Sequence, residues 1–183
     1  MYGLFGIFEV VLRNAIDSHY GTQFSDADWL LNQCGSRGMF SDRTLARNGF
    51  TTRTIILDSH RKLGTTYNHD ALLSSLSFGT WSYLFAAREF RAGGQTLHRI
   101  FPARPRGTNS TILFNDLERL RLFRNRIAHH EPVVFNATGI HTAYAKMIHQ
   151  NLCEKTQWLD IQPNELFYGL DHCNKWLRLI DCI

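Results

Sequence analysis

The sequence predicts an all-α protein, and two observations carry that prediction. Almost every apolar stretch has the three-to-four-residue spacing of a helix face, and glycines and prolines fall where those stretches stop. The 183 residues suit one domain with a sizeable core. A composition of 44% hydrophobic and 20% charged residues excludes a disordered chain. The whole span 1-183 is therefore expected to be a single helical domain.

Taken in order, Tyr2 to Tyr20 place Phe5, Leu12 and Ile16 on one face, with Gly21 as a stop signal. Trp29 to Leu31 form a short segment broken by Gly35 and Gly38. Thr51 to Leu63 reads as a helix ended by Gly64, although its Thr and Ile content also suits a strand. His69 to Phe90 reads as two short helical pieces jointed near Gly79. Residues 91–110 are the loop-richest part, with Gly93, Gly94, Pro102, Pro105 and Gly107 as breakers. Ser110 opens a long helix to about His130, because Pro132 disfavours helical geometry at Glu131. Two further helices are expected, Thr138 to Lys155 and Pro163 to Leu179, the second with proline in its first turn.

Four cysteines, Cys34, Cys153, Cys173 and Cys182, stand at scattered spacings without a C-x-x-C. That pattern favours reduced thiols in a cytoplasmic protein over a disulfide framework or a zinc site. The apolar start MYGLFGIFEVVL lacks a basic region and a cleavage signal, and it is too short to span a bilayer, so no membrane association is expected.

The net charge of +4 is unevenly spread. Between Arg88 and Arg126 stand nine arginines against three acids (Glu89, Asp116, Glu118), a balance of +6, which leaves −2 for the remainder. Arg88, Arg91, Arg99, Arg104 and Arg106 mingle with Phe90, Phe101 and His98, the composition of a surface that tracks a nucleic-acid backbone, or else of a solvated loop. With Arg121 and Arg126 they are the candidate RNA-binding residues. Trp81, Tyr83, Leu84 and Phe85 read as core, not as a base-stacking platform. Gly93-Gly94 is no phosphate loop, since no Lys-Ser/Thr follows and no strand precedes it.

The segment LFRNRIAHHEP, Leu122 to Pro132, concentrates the polar groups. The apolar stripe of its helix runs Leu113, Leu117 and Leu120, and the same spacing continues through position 124 to Ile127. Position 124 is arginine, which there either snorkels, meets a buried acid such as Glu9, or reaches a polar site. Asn125 and His129 share one face, as do Arg126 and His130. Both histidines fall in the last turn, where the helix dipole favours positive charge. At roughly 100° per residue, Arg124 and His129 stand about 140° apart, so one regular helix does not bring both onto one phosphate. A bent helix end or a second copy of the chain would.

Histidine beside arginine suits phosphate-ester chemistry. The imidazole moves a proton at the ribose 2′-hydroxyl or the 5′-oxygen, and the guanidinium binds phosphate oxygens as charge builds on them. RNA supplies its own nucleophile, so no metal or cofactor is required. A metal site at His129, His130 and Glu131 is disfavoured, because H-E-x-x-H is absent and the residue four after His130 is Val134.

RNRIAHHEP resembles the R-x4-6-H motif of the HEPN superfamily, specifically the Abi-like (abortive infection) bacterial proteins. FEVVLRNAID, Phe8 to Asp17, resembles that family's first-helix element, here Glu9, Arg13 and Asn14. LSFGTWSYLF with LHRIFP, within Leu76 to Pro102, resembles its central region. The three matches in this order span most of Phe8 to Pro132. The resemblance implies an HEPN-like helical bundle, commonly dimeric, with metal-independent ribonuclease activity in phage defence or a toxin system. It implies Arg124 and His129 as the motif pair, Asn125 as the polar residue after the arginine, and His130 as an adjacent alternative. Glu9, Arg13 and Asn14 become supporting polar residues, although Glu9 and Arg13 also form a plain i,i+4 pair worth about 0.3–0.5 kcal/mol. The implied partners are RNA, a second copy, and a neutralising partner, either a protein or a nucleotidyltransferase-type modifier. Relatives carry more helical sequence before this first helix, so the chain is expected to be shortened at its amino end. The rival expectations are a non-catalytic RNA- or partner-binding module of the same fold, and a helical dimerisation protein that binds no RNA.

Overall fold

The computed structural model describes residues 1–41, 52–136 and 139–182. Among them helix dominates and the only strands form one two-stranded ribbon, as an all-α protein requires. The helices are α1 (Tyr2–Phe24), α2 (Trp29–Asn32), α3 (Thr52–Leu63), α4 (His69–Ser75), α5 (Phe78–Tyr83), α6 (Ala87–Ala92), α7 (Ser110–Ala128), α8 (Ala143–Trp158), α9 (Pro163–Leu166) and α10 (Cys173–Ile180). No helix among the described residues is long and apolar enough to cross a membrane. The chain divides into two compact units: Met1–Leu12, Phe101–Thr108 and Asn115–Ile183 make the first, Arg13–Ile100 and Asn109–Phe114 the second.

In the first unit the start of α1 buries Leu4, Phe5, Phe8 and Leu12, and α7 buries Leu117, Leu120 and Phe123. Phe5 meets Phe123 at 6.1 Å between ring centroids, and Phe123 meets Tyr144 of α8 edge-on at 5.6 Å. The fully buried stripe of α7 thus runs to Phe123, one residue before the position that the spacing from Leu120 selects, and Arg124 takes the half-buried flank. Lys155 is 1% exposed, and a buried ammonium demands a partner. Asp116 supplies it at 2.8 Å, and the Trp158 ring faces the ammonium at 3.4 Å.

In the second unit α1 continues past Gly21 to Phe24. One glycine within a helix costs about 1 kcal/mol relative to alanine, and the extension stacks Phe24 on Tyr20 at 5.6 Å and near Trp29 at 6.4 Å. Asp17 accepts from Trp29 Nε1 at 2.8 Å and pairs with His69 Nε2 at 2.7 Å, tying α1 to α2 and α4. Gly93 packs so close to Tyr20 that a Cβ there would lie 2.2 Å from the phenol oxygen, which accounts for Gly93 by packing, while Gly94 takes a left-handed φ of 81°. Trp81, Leu84 and Phe85 are buried as expected, whereas Tyr83 is half exposed and meets Phe114 edge-on.

Several boundaries differ from expectation. The segment from His69 to Phe90 forms three helices, broken at Leu76-Ser77 and again at Leu84 to Ala86, and Gly79 lies inside α5. The helix expected from Thr138 starts at Ala143, after a ribbon pairing Phe135 with Ile140 and Asn136 with Gly139; Thr138 itself lies outside the described residues, as does Thr51 before α3. The last expected helix is two, because Gly169 adopts a left-handed φ of 71° between α9 and α10.

Candidate functional site

The candidate site forms where α7 ends. Asn109 caps its start, its Oδ1 accepting from the Ile112 amide at 3.0 Å. At the other end the helix closes earlier than its sequence suggests, at Ala128, with His129 and His130 in a turn beyond it. The His130 amide donates to the Ile127 carbonyl at 3.0 Å, and the Glu131 amide reaches back to the Arg126 carbonyl at 2.9 Å. These two bonds are the Schellman closure, which needs a left-handed residue, and His130 occupies that place with a φ of 57°. Arg126 fastens the turn, donating to the Glu131 carboxylate at 3.2 Å and to the Pro132 carbonyl at 2.7 Å.

One turn back, Arg124 lies half-buried between two acceptors. Its Nη2 donates to Glu9 Oε2 at 3.2 Å, and its Nη1 donates to Asn125 Oδ1 at 3.2 Å. The side chains are 27% exposed for Arg124 and 16% for Glu9, so the pair is partly desolvated. Of the alternatives open for Arg124, the structure selects the buried-acid partner, Glu9. The Glu9 carboxylate thereby reaches across to α7 from the edge of the apolar face of α1.

The structure therefore brings Glu9, Arg124 and Asn125 into one hydrogen-bonded group. His129 and His130 are exposed on the adjoining turn, and among the described residues no hydrogen bond joins either ring to Arg124. Arg13 and Asn14 belong to the second unit: Asn14 is exposed, and the Arg13 Nε is buried without a hydrogen-bond partner among the described residues. The candidate RNA-binding arginines also fall in both units. Arg88, Arg91 and Arg99 are exposed in the second. In the first, Arg106 is exposed, Arg104 donates to the Phe101 carbonyl at 3.0 Å, and Arg121 is bidentate to Glu118.

Within the first unit a second polar group gathers that the sequence reading did not single out. His149 is buried on α8, and its Nε2 lies 2.7 Å from Asp171 Oδ2 and 3.8 Å from Cys153 Sγ, one turn along the same helix. Asp171 Oδ1 accepts from the Cys173 amide at 3.0 Å, at the start of α10. The donor atoms of His149, Asp171 and Cys173 all lie within 4.8 Å of one another. A Cys–His–Asp nucleophilic triad does not fit, because thiol and carboxylate both approach the same ring nitrogen, and burial pushes the Cys153 thiol up to about 11. All four cysteines are free thiols.

Comparison of the chain with protein-family models, with characterised proteins and with solved structures finds no match in any of the three.

Proposed function

We propose that the protein is a HEPN-type, metal-independent endoribonuclease of phage defence or of a toxin system, acting as a homodimer. The observation that carries this reading is the end of α7, where Glu9 and Asn125 hold Arg124 beside a turn exposing His129 and His130. The all-α architecture supports an HEPN-like bundle. In the reaction the ribose 2′-oxygen attacks phosphorus and the bond to the 5′-oxygen breaks, leaving a 2′,3′-cyclic phosphate and a 5′-hydroxyl. His129, with His130 as the adjacent alternative, takes the 2′-hydroxyl proton or returns one to the leaving oxygen. Arg124 neutralises the charge that builds on the phosphorane, and Asn125 orients it. Glu9 is a positioning residue, because it sets the guanidinium without reaching RNA. Exposed apolar residues in the same unit, among them Leu122 and Trp176, suit the approach of a second copy that completes the site.

One observation favours a second reading, a non-catalytic RNA- or partner-binding module: the charge of Arg124 is already met by Glu9. Single Arg124→Ala, His129→Ala and His130→Ala variants separate the two. The ribonuclease reading expects Arg124→Ala and one histidine variant to lose about 10²–10⁴-fold in RNA cleavage. Cleavage unchanged in the triple variant overturns it. Salt-sensitive RNA binding without turnover, unaffected by the histidine changes, selects the module.

A further inference from the structure

We infer that His149, Cys153, Asp171 and Cys173 form a zinc-binding site that fastens the C-terminal helix α10 to α8. The four donors come from two places in one unit. His149 and Cys153 stand four apart on the same face of α8, and Asp171 and Cys173 stand two apart at the entry to α10. One imidazole, two thiols and one carboxylate are the nitrogen, sulfur and oxygen donors that zinc takes in tetrahedral sites. A single carboxylate is too few hard oxygen donors for calcium or magnesium.

The spacing fits as well. With Zn–S of ~2.3 Å and Zn–N of ~2.0 Å, tetrahedral geometry separates a thiolate sulfur and an imidazole nitrogen by about 3.5 Å. Cys153 Sγ and His149 Nε2 are 3.8 Å apart. The ring nitrogen, the Asp171 carboxylate and the Cys173 sulfur already lie within 4.8 Å of one another, and Cys153 joins this trio from the imidazole side.

A buried histidine with a carboxylate partner explains itself as an ordinary core pair. It leaves two thiols converging on that pair unexplained, since neither is needed to satisfy the ring. His149 is 5% exposed, while a cavity of about 490 Å³ runs alongside it and Cys153 and gives an ion a way in. Lys146 and Arg178 line that cavity. Lys146 is already paired with Asp181, so it is Arg178 that offsets the net negative charge of zinc with two thiolates and a carboxylate.

A cross-link here has structural work to do. Of the α10 side chains only Cys173 and Leu177 are buried, so apolar packing alone fastens the helix weakly. Two of the four ligands lie at its entry, and an ion there holds that entry to α8. The site shares no residue with the end of α7, so it stands or falls independently of the ribonuclease reading.

The full chain, stripped of metal and then titrated with zinc against a chromophoric chelator, reads the stoichiometry and affinity directly. Cobalt in place of zinc reports thiolate ligation through its sulfur-to-metal charge-transfer absorption. One ion per chain is expected, with a charge-transfer band that weakens in Cys153→Ser and in Cys173→Ser but not in Cys34→Ser or Cys182→Ser. Loss of either ligand should cost more affinity than the ~10–100-fold that follows loss of a mere supporting partner. Zinc should also raise the melting temperature of the wild type and not of Cys153→Ser, the half-buried ligand least needed for folding. Failure of the wild type to take up a stoichiometric ion overturns the inference. So does zinc binding, or a cobalt charge-transfer band, that persists unchanged in Cys153→Ser and in Cys173→Ser.

Discussion

The Arg124 guanidinium donates to the Glu9 carboxylate at 3.2 Å, joining α7 to α1 at the edge of an aromatic contact between Phe123 and Phe5. The pair is neither exposed nor fully buried, so its coupling energy should fall between those of surface and core ion pairs. A double-mutant cycle with Glu9→Gln and Arg124→Met, read by urea unfolding, is expected to give about 1 kcal/mol. Additivity within ~0.3 kcal/mol would show that the two side chains do not communicate.

His130 sits at the left-handed position of the turn that ends α7, where a β-carbon is costly. His130→Gly should therefore raise stability by about 0.5–1 kcal/mol, while His129→Gly, in the residue before it, should not. Thermal melts of the two variants check this. A loss of stability in His130→Gly would mean that the imidazole makes contacts outweighing the backbone strain.

Gly93 faces the Tyr20 hydroxyl, which is buried and has no hydrogen-bond partner among the described residues. Gly93→Ala is expected to destabilise the protein by roughly 1–3 kcal/mol through overpacking. Tyr20→Phe alone should be neutral or stabilising, because it removes an unsatisfied buried polar group. The two together should recover most of the alanine penalty. An additive double variant would place the clash elsewhere.

Glu89 is 6% exposed, and burial raises its carboxyl above the usual range despite a hydrogen bond from Thr52 Oγ1 at 3.3 Å. A raised folded-state value means the folded chain binds the proton more tightly than the unfolded chain. The Glu89 contribution therefore falls as pH rises from the unfolded-chain value, about 4.3, through the higher folded one, and is flat above it. Glu89→Gln should be more stable than wild type at neutral pH, with the gap closing as the pH drops to about 4. Melting curves across that range test it, and a gap that widens in acid contradicts it.

Much of the fold was legible because α1 and α7 carry strong apolar stripes, and because Gly64 and Pro163 punctuate helices where local geometry requires it. Periodicity misplaced Arg124 by one residue. Two residues three and four positions on from Leu120 both suit a helix stripe, and aromatic packing on Phe5 chose Phe123. The end of α7 was set by a Schellman turn built on histidine, a residue that gives no glycine signal. The ribbon at Phe135 to Ile140 has two-residue strands, too short for any alternation to register. The His149 group was missed for a different reason. Its donors pair as H-x-x-x-C and D-x-C across a loop and a helix break, and only folding brings the halves together. The Glu9 partnership was one of three alternatives the sequence left open for Arg124, and only the packing of α1 on α7 selects it.

The chemistry of the RNA ends tests the central claim most directly. Purified protein and a defined single-stranded RNA, with no divalent cation added to the buffer, should give fragments ending in 2′,3′-cyclic phosphate and beginning with 5′-hydroxyl. Those products should disappear in the Arg124→Ala/His129→Ala/His130→Ala variant while its helical content is retained. Intact RNA with the wild type, fragments ending in 3′-hydroxyl, or cyclic-phosphate products that persist in the triple variant would contradict the account.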